Sequence, residues 1–233
     1  MTQPLNIIKA GRKRVVVVST ILLLLGLADV TVQVISQIGS KGLHVDSWTF
    51  FFSLGALFCL FSKSYRQVRV LRFILGASAT YLLAKSIPNF LMPLDLFAQI
   101  FKNSPTAISI EIFKGIFPIV VATWGFFQLS SPIVRSLNDN DNNHPRKWYR
   151  NFMSPILGSA YGLIHSVTAI LLLTGSLSEQ ASLMAREANG PSFKYFVQHL
   201  NVSYFNGEKK VRASVVVYDQ NQSKVHPINF QEN

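Results

Sequence analysis

Five apolar blocks, separated by short basic clusters, dominate this chain of 233 residues. About 20 consecutive apolar residues let an α-helix cross a hydrocarbon core of roughly 30 Å. A soluble helix, by contrast, keeps one polar face. Only 14% of the residues are charged and 49% are hydrophobic, where an average soluble domain is about a quarter charged. The chain therefore reads as a membrane all-α helical bundle of about five transmembrane helices, with a small α+β extramembrane tail at the C-terminus.

The first block begins behind Lys9, Arg12, Lys13 and Arg14 and covers about 15–37. Its strictly apolar run, Val15 to Leu25, is short, and Gly26-Leu27-Ala28 has the small-x-small form of a signal-peptidase site. An uncleaved first helix is the preferred reading, with cleavage after Ala28 as the alternative. The second block, 45–62, has Trp48 at one edge and Tyr65 just past the other, as interfacial aromatic belts require. It reads as a second span. The third, 70–90, reads as the weakest: Phe73 to Ala84 is its only uninterrupted stretch, and Arg72 and Lys85 must snorkel to opposite interfaces. Residues 86–110 mix apolar and polar side chains around Pro88, Pro93 and Pro105 and read as a re-entrant or interfacial segment. A fourth span follows at 110–129 with Pro118 inside it. The fifth, 153–175, comes after the polar, helix-breaking stretch Asn138 to Pro145.

Five spans with the N-terminus (1–14) in the cytoplasm place twelve cations inside. These are the first cluster, then Lys63, Arg66, Arg69 and Arg72, then Arg135, Arg146, Lys147 and Arg150. Four remain outside: Lys41, Lys85, Lys102 and Lys114. That asymmetry has the sign of the positive-inside rule. It places residues 176–233 on the extracytoplasmic side; the expected location is a bacterial inner membrane, multi-pass. The net charge of +11 is thereby explained by membrane sidedness, and no nucleic-acid partner is expected.

In the tail, Ser176 stands three residues before Glu179, a capping-box spacing, and Asn189-Gly190-Pro191 supplies the stop. The period then changes to two. Leu200, Val202 and Tyr204 mark a first strand, Asn206-Gly207 a hairpin turn, Val211 to Val217 a second strand, and His226, Ile228 and Phe230 a third. The one-sided apolar face of this meander needs the helix, the membrane surface or a partner as cover. Asn201-Val-Ser203 and Asn221-Gln-Ser223 match the glycosylation pattern, a match common by chance.

Two sets of intramembrane residues stand out. Ser154, Gly158, Gly162 and Ser166 repeat every four residues on the fifth span, a stripe that lets helix backbones approach. It serves packing within the chain or, alternatively, a homo-oligomer contact. Asp29 and His165 are candidate partners in an intramembrane polar pair, because a carboxylate in the bilayer must find a partner or a cavity. Cys59 is the only cysteine, which excludes internal disulfides and Cys-rich metal sites. No Walker, Rossmann, zincin or serine-hydrolase motif occurs. The expectation is a protein without cofactor or metal and without enzymatic activity. Its partners would be the lipid bilayer and other membrane proteins. An envelope-complex subunit, an assembly factor or an immunity/exclusion-type factor would fit; the alternative is a small, oligomeric transporter or channel.

Overall fold

The computed structural model describes residues 5–36, 48–61, 65–139, 152–205 and 208–232. Its helices are α1 (Leu5–Ser36), α2 (Trp48–Phe61), α3 (Tyr65–Lys85), α4 (Leu94–Asn103), α5 (Pro105–Leu129), α6 (Pro132–Asp139), α7 (Met153–Thr174) and α8 (Ser176–Asn189). A 3-10 helix, Ile87–Leu91, precedes α4. Three strands end the chain: β1 (Lys194–Phe205), β2 (Glu208–Tyr218) and β3 (Ser223–Glu232). The fold is thus a helical bundle with a small α+β tail, and it falls into two compact units.

Among the described residues, four helical stretches are long and apolar enough to cross a membrane: Asn6–Ile35, Tyr65–Leu91, Ile108–Leu129 and Met153–Thr174. The expected third span is among them, whereas the expected second span, 45–62, is described only in part. The block read as weakest lies in a 27-residue helical stretch, while α2 has 14 described residues, about 21 Å at 1.5 Å per residue. Arg66, Arg69 and Arg72 lower the hydropathy of the start of α3 without interrupting its helix. Residues 37–47 and 62–64, which include the ends of the expected second span at 45–47 and 62, lie outside the described residues, as does most of the polar stretch 138–145.

The first unit comprises Met1–Ala84 and Lys114–Gly162. Leu22 of α1, Phe52 and Ala56 of α2, Leu71 and Leu75 of α3, and Ala122 of α5 meet in its core. Pro118 sits inside α5 without ending it. The short helix α6, absent from the sequence reading, lies so close to α1 that a Cβ on Gly11 would stand 2.6 Å from the Ile133 carbonyl oxygen. Nearby, the Arg14 guanidinium donates to the Gln128 side-chain oxygen at 2.7 Å.

The second unit comprises Lys85–Phe113 and Leu163–Asn233. Its sheet is an antiparallel meander in the order β1-β2-β3. Phe205 pairs with Glu208 across the two-residue Asn206-Gly207 connection, whose own structure is outside the described residues. The register slips between Val197 and His199, one extra residue that bends β1. At the other turn, the Asp219 carboxylate accepts hydrogen bonds from the Asn221 and Gln222 amides at 2.7 and 2.9 Å. Those two amides hold the Asp219 carboxyl below its ordinary value.

Both faces of the sheet receive a helix. Leu177, Ala181 and Ala185 of α8 cover Leu200, Val211, Val215 and Ile228. The cover that the tail required is thus supplied by its own helix. Residue 176 is not the cap of α8, because the helix starts one residue earlier than the capping box implies. Gly175 is the N-cap, and its carbonyl accepts from the Ser178 and Glu179 amides. At the far end, Gly190 takes φ 93°, a conformation that glycine adopts at no steric cost.

The opposite face is covered at one end by α4. Leu96, fully buried, packs with Val216 and Tyr218, and Met92, Ile100 and Phe196 surround them. Residues 86–110, read as a re-entrant or interfacial segment, thus include a helix packed on the sheet. Met92, Leu96 and Ile100 pack on the sheet, and the exposed apolar residues of the stretch, Ile87, Phe90, Leu91, Leu94, Phe97 and Phe101, suit an interfacial segment.

Candidate functional site

A cleft of about 830 Å³ opens in the second unit between α4 and the β2–β3 turn. Its position follows from the packing just described. Leu96 pins one face of α4 to the sheet, so Asp95, Gln99 and Lys102, on the adjoining face, line the gap with Lys194, Tyr218 and Asn221. Lys194 donates to the Asp95 carboxylate at 2.5 Å and lies 6.0 Å from the centre of the Tyr218 ring. The hydrogen bond from Lys194 holds the Asp95 carboxyl below its ordinary value, and the same bond raises the Lys194 ammonium. Burial is the main cause of the upward shift of the Tyr218 hydroxyl. Both polar atoms of the Gln99 side-chain amide are shielded from solvent without a hydrogen-bond partner. A buried amide left unmatched costs about 1–3 kcal/mol, so the site gains when a ligand matches it. Sequence reasoning missed this cleft, because Asp95 and Lys194 are 99 positions apart.

The small-residue stripe of α7 has a defined neighbour in the first unit. A Cβ on Gly158 would overlap the Ala77 carbonyl and Thr80, and one on Gly162 would stand 2.7 Å from the Ala84 Cβ. Ser154 meets Gly76 in the same way. Gly76, Thr80 and Ala84 repeat every four residues too, so two small-residue stripes face each other. The Thr80 hydroxyl donates to the Pro155 carbonyl at 2.8 Å across the contact. Ser166, also buried, lies on the part of α7 that belongs to the second unit.

Asp29 is 5% exposed and sits where α1 crosses α2. Its carboxylate accepts hydrogen bonds from the Thr49 hydroxyl and, at 3.3 Å, from the Gln33 amide. One turn along α2, the Ser53 hydroxyl lies 2.8 Å from the Leu22 carbonyl oxygen and 2.9 Å from that of Thr49. A Cβ on Gly26 would collide with Ser53, so glycine is what lets the helices approach. Gln33, Thr49 and Ser53 were missed in the sequence. Their signal is the four-residue spacing of Asp29 from Gln33 and of Thr49 from Ser53. His165 lies on the exposed side of α7, in the second unit, whereas Asp29 belongs to the first. The Gln33 and Thr49 bonds to Asp29 come from α1 and α2 respectively. Among the described residues no group of three or more His, Cys, Asp or Glu side chains could hold a metal ion.

Together these features define a class: a multi-helix membrane protein carrying an α+β unit with a polar cleft. No family model matches the sequence, and no curated protein or solved structure is detectably similar to it.

Proposed function

We propose that this chain is a non-enzymatic multi-span membrane protein that acts through protein–protein contacts, with the cleft beside α4 as the contact site. The class includes envelope-complex subunits, assembly factors and immunity/exclusion-type factors. The observation that carries the reading is the unmatched Gln99 amide in a cleft bearing both signs of charge, Asp95 and Asp219 against Lys102 and Lys194. An amide flanked by mixed charges suits the polar backbone and side chains of a peptide segment better than a metal or an apolar ligand.

The proposal extends to topology. α1, α2, α3, α5 and α7 cross a bacterial inner membrane with the N-terminus in the cytoplasm, which leaves the cleft on the other side. The twelve-to-four distribution of cations supports this arrangement. Removing α2 from the count would put the Arg135 and Arg146–Arg150 clusters outside. The 14 described residues of α2 are then matched to the bilayer by local thinning or by flanking residues.

The test replaces Gln99 by Leu and Lys102 by Glu in the full-length chain and compares co-purification of its membrane partners with that of the unaltered protein. The proposal expects partner loss at unchanged accumulation; full partner recovery by both variants would end it. A second reading, a small oligomeric transporter, has one feature in its favour: the buried Asp29 carboxylate.

A further inference from the structure

In the first unit, α2 and α3 enclose a groove of about 700 Å³. Trp48, Phe51 and Phe58 form one wall, and Val70 and Ile74 the other, with Arg66 and Gln67 also in the lining. The helices run antiparallel, with the Trp48 ring 5.8 Å from that of Tyr81, so Arg66 and Gln67 mark the opposite end from Trp48. Three independent features describe what would fill it. The walls are apolar and open, with Phe51, Phe58 and Val70 each more than half exposed. The charge is one-sided: between Asp46 and Asp95 the sequence has no acidic residue, yet it carries Lys63, Arg66, Arg69, Arg72 and Lys85. Finally, the side-chain carbonyl oxygen of Gln67 is buried and accepts no hydrogen bond.

An apolar slot ending in the Arg66 cation and an unmatched acceptor has the pattern of a lipid: chain, phosphate, headgroup donor. The phosphate meets the arginine end, as phospholipid headgroups do in basic sites between transmembrane helices. The donor for Gln67 must be neutral, because an ammonium headgroup would stand beside Arg66, which lines the same end of the groove. A glycerol hydroxyl meets that condition. We propose that the α2–α3 groove holds one anionic phospholipid of the phosphatidylglycerol class. Its acyl chain lies along Phe58, Val70 and Ile74, its phosphate sits at Arg66, and a headgroup hydroxyl donates to Gln67. This site is independent of the cleft in the second unit and of any protein partner.

The test is native mass spectrometry of the full-length protein. It is extracted in mild detergent from vesicles holding equal phosphatidylglycerol, phosphatidylethanolamine and phosphatidylcholine. One phosphatidylglycerol per chain is expected to survive detergent exchange while the other two are lost. Arg66→Ala should lower its retention roughly fivefold, the effect of one cation near a phosphate. Val70→Trp, which fills the slot and leaves the headgroup end intact, should abolish it. If Arg66→Ala fails to accumulate, Val70→Trp decides. Equal retention of the three lipids, preference for phosphatidylethanolamine, or undiminished phosphatidylglycerol in Val70→Trp would each overturn the proposal.

Discussion

The Thr80 hydroxyl donates to the main-chain carbonyl of Pro155 at 2.8 Å, closer than to either carbonyl of its own helix within reach, those of Gly76 and Ala77. Such an approach requires α7 to lie almost backbone-to-backbone on α3, and Gly158 permits it. Replacing Gly158 by Leu should therefore destabilise the protein by about 1–3 kcal/mol or more, the cost of overpacking. Thr80→Val should cost only about 0.6 kcal/mol, the mean for interhelical hydrogen bonds in membranes. Denaturation in detergent would measure both. A stable Gly158→Leu protein that lost only self-association would instead make the stripe an oligomer contact.

Asp29 ties α1 to α2, so its role divides by substitution. Asn keeps an acceptor for Thr49 and Gln33, and Asp29→Asn should accumulate normally. Ala leaves those buried donors unmatched, at about 1–3 kcal/mol, and should lower the steady-state amount on an immunoblot. If Asp29→Asn accumulated but lost all activity in the cell, the carboxylate itself would be working and the transporter reading would gain.

The ion pair across the cleft fixes a pH window. The Asp95 value is lowered by Lys194, so its contribution is present above the ordinary value of 3.8 and lost as acid protonates the folded carboxylate. The Lys194 value is raised, so its contribution is complete below 10.5 and lost only in stronger alkali. Backbone hydrogen exchange of 94–103, corrected for intrinsic rates, should be unchanged from pH 5 to 9 and faster at pH 3. High salt at neutral pH should mimic part of the acid effect, since the pair is exposed and screened. Equal protection at pH 3 and pH 7 would show that the pair contributes nothing to docking α4.

Leu96 is the apolar anchor of that docking. Leu96→Ala should cost about 2–5 kcal/mol of local stability. It should release α4 to proteolysis while the meander and α8, held by Val211, Val215 and Ala181, stay protected. Limited proteolysis with fragment mapping reads this directly; simultaneous cleavage in α8 and the strands would contradict it.

Local signals in the sequence were legible where their partners were also local. The meander follows from the alternation of Val211 to Val217, and the stop of α8 from Gly190. The close approach of α7 follows from small residues every fourth position, but the identity of its neighbour does not. The third span reads as weak because Arg72 and Lys85 bound its uninterrupted apolar stretch, while a helix carries such residues on long apolar stems. The place of α4 was illegible for a different reason. Leu96 looks like any interfacial leucine until Val216 and Tyr218, more than a hundred residues later, come to meet it. The cleft depends on that long-range packing and so was hidden with it.

The central claim is that the cleft beside α4 receives a segment of another protein. A photo-crosslinking amino acid at Asn221, on the rim, compared with one at Tyr204, exposed on β1, tests it in intact cells. The account predicts one discrete adduct from position 221, abolished by Gln99→Leu, and none from position 204. No adduct at 221, or the same adducts from both positions, would contradict it.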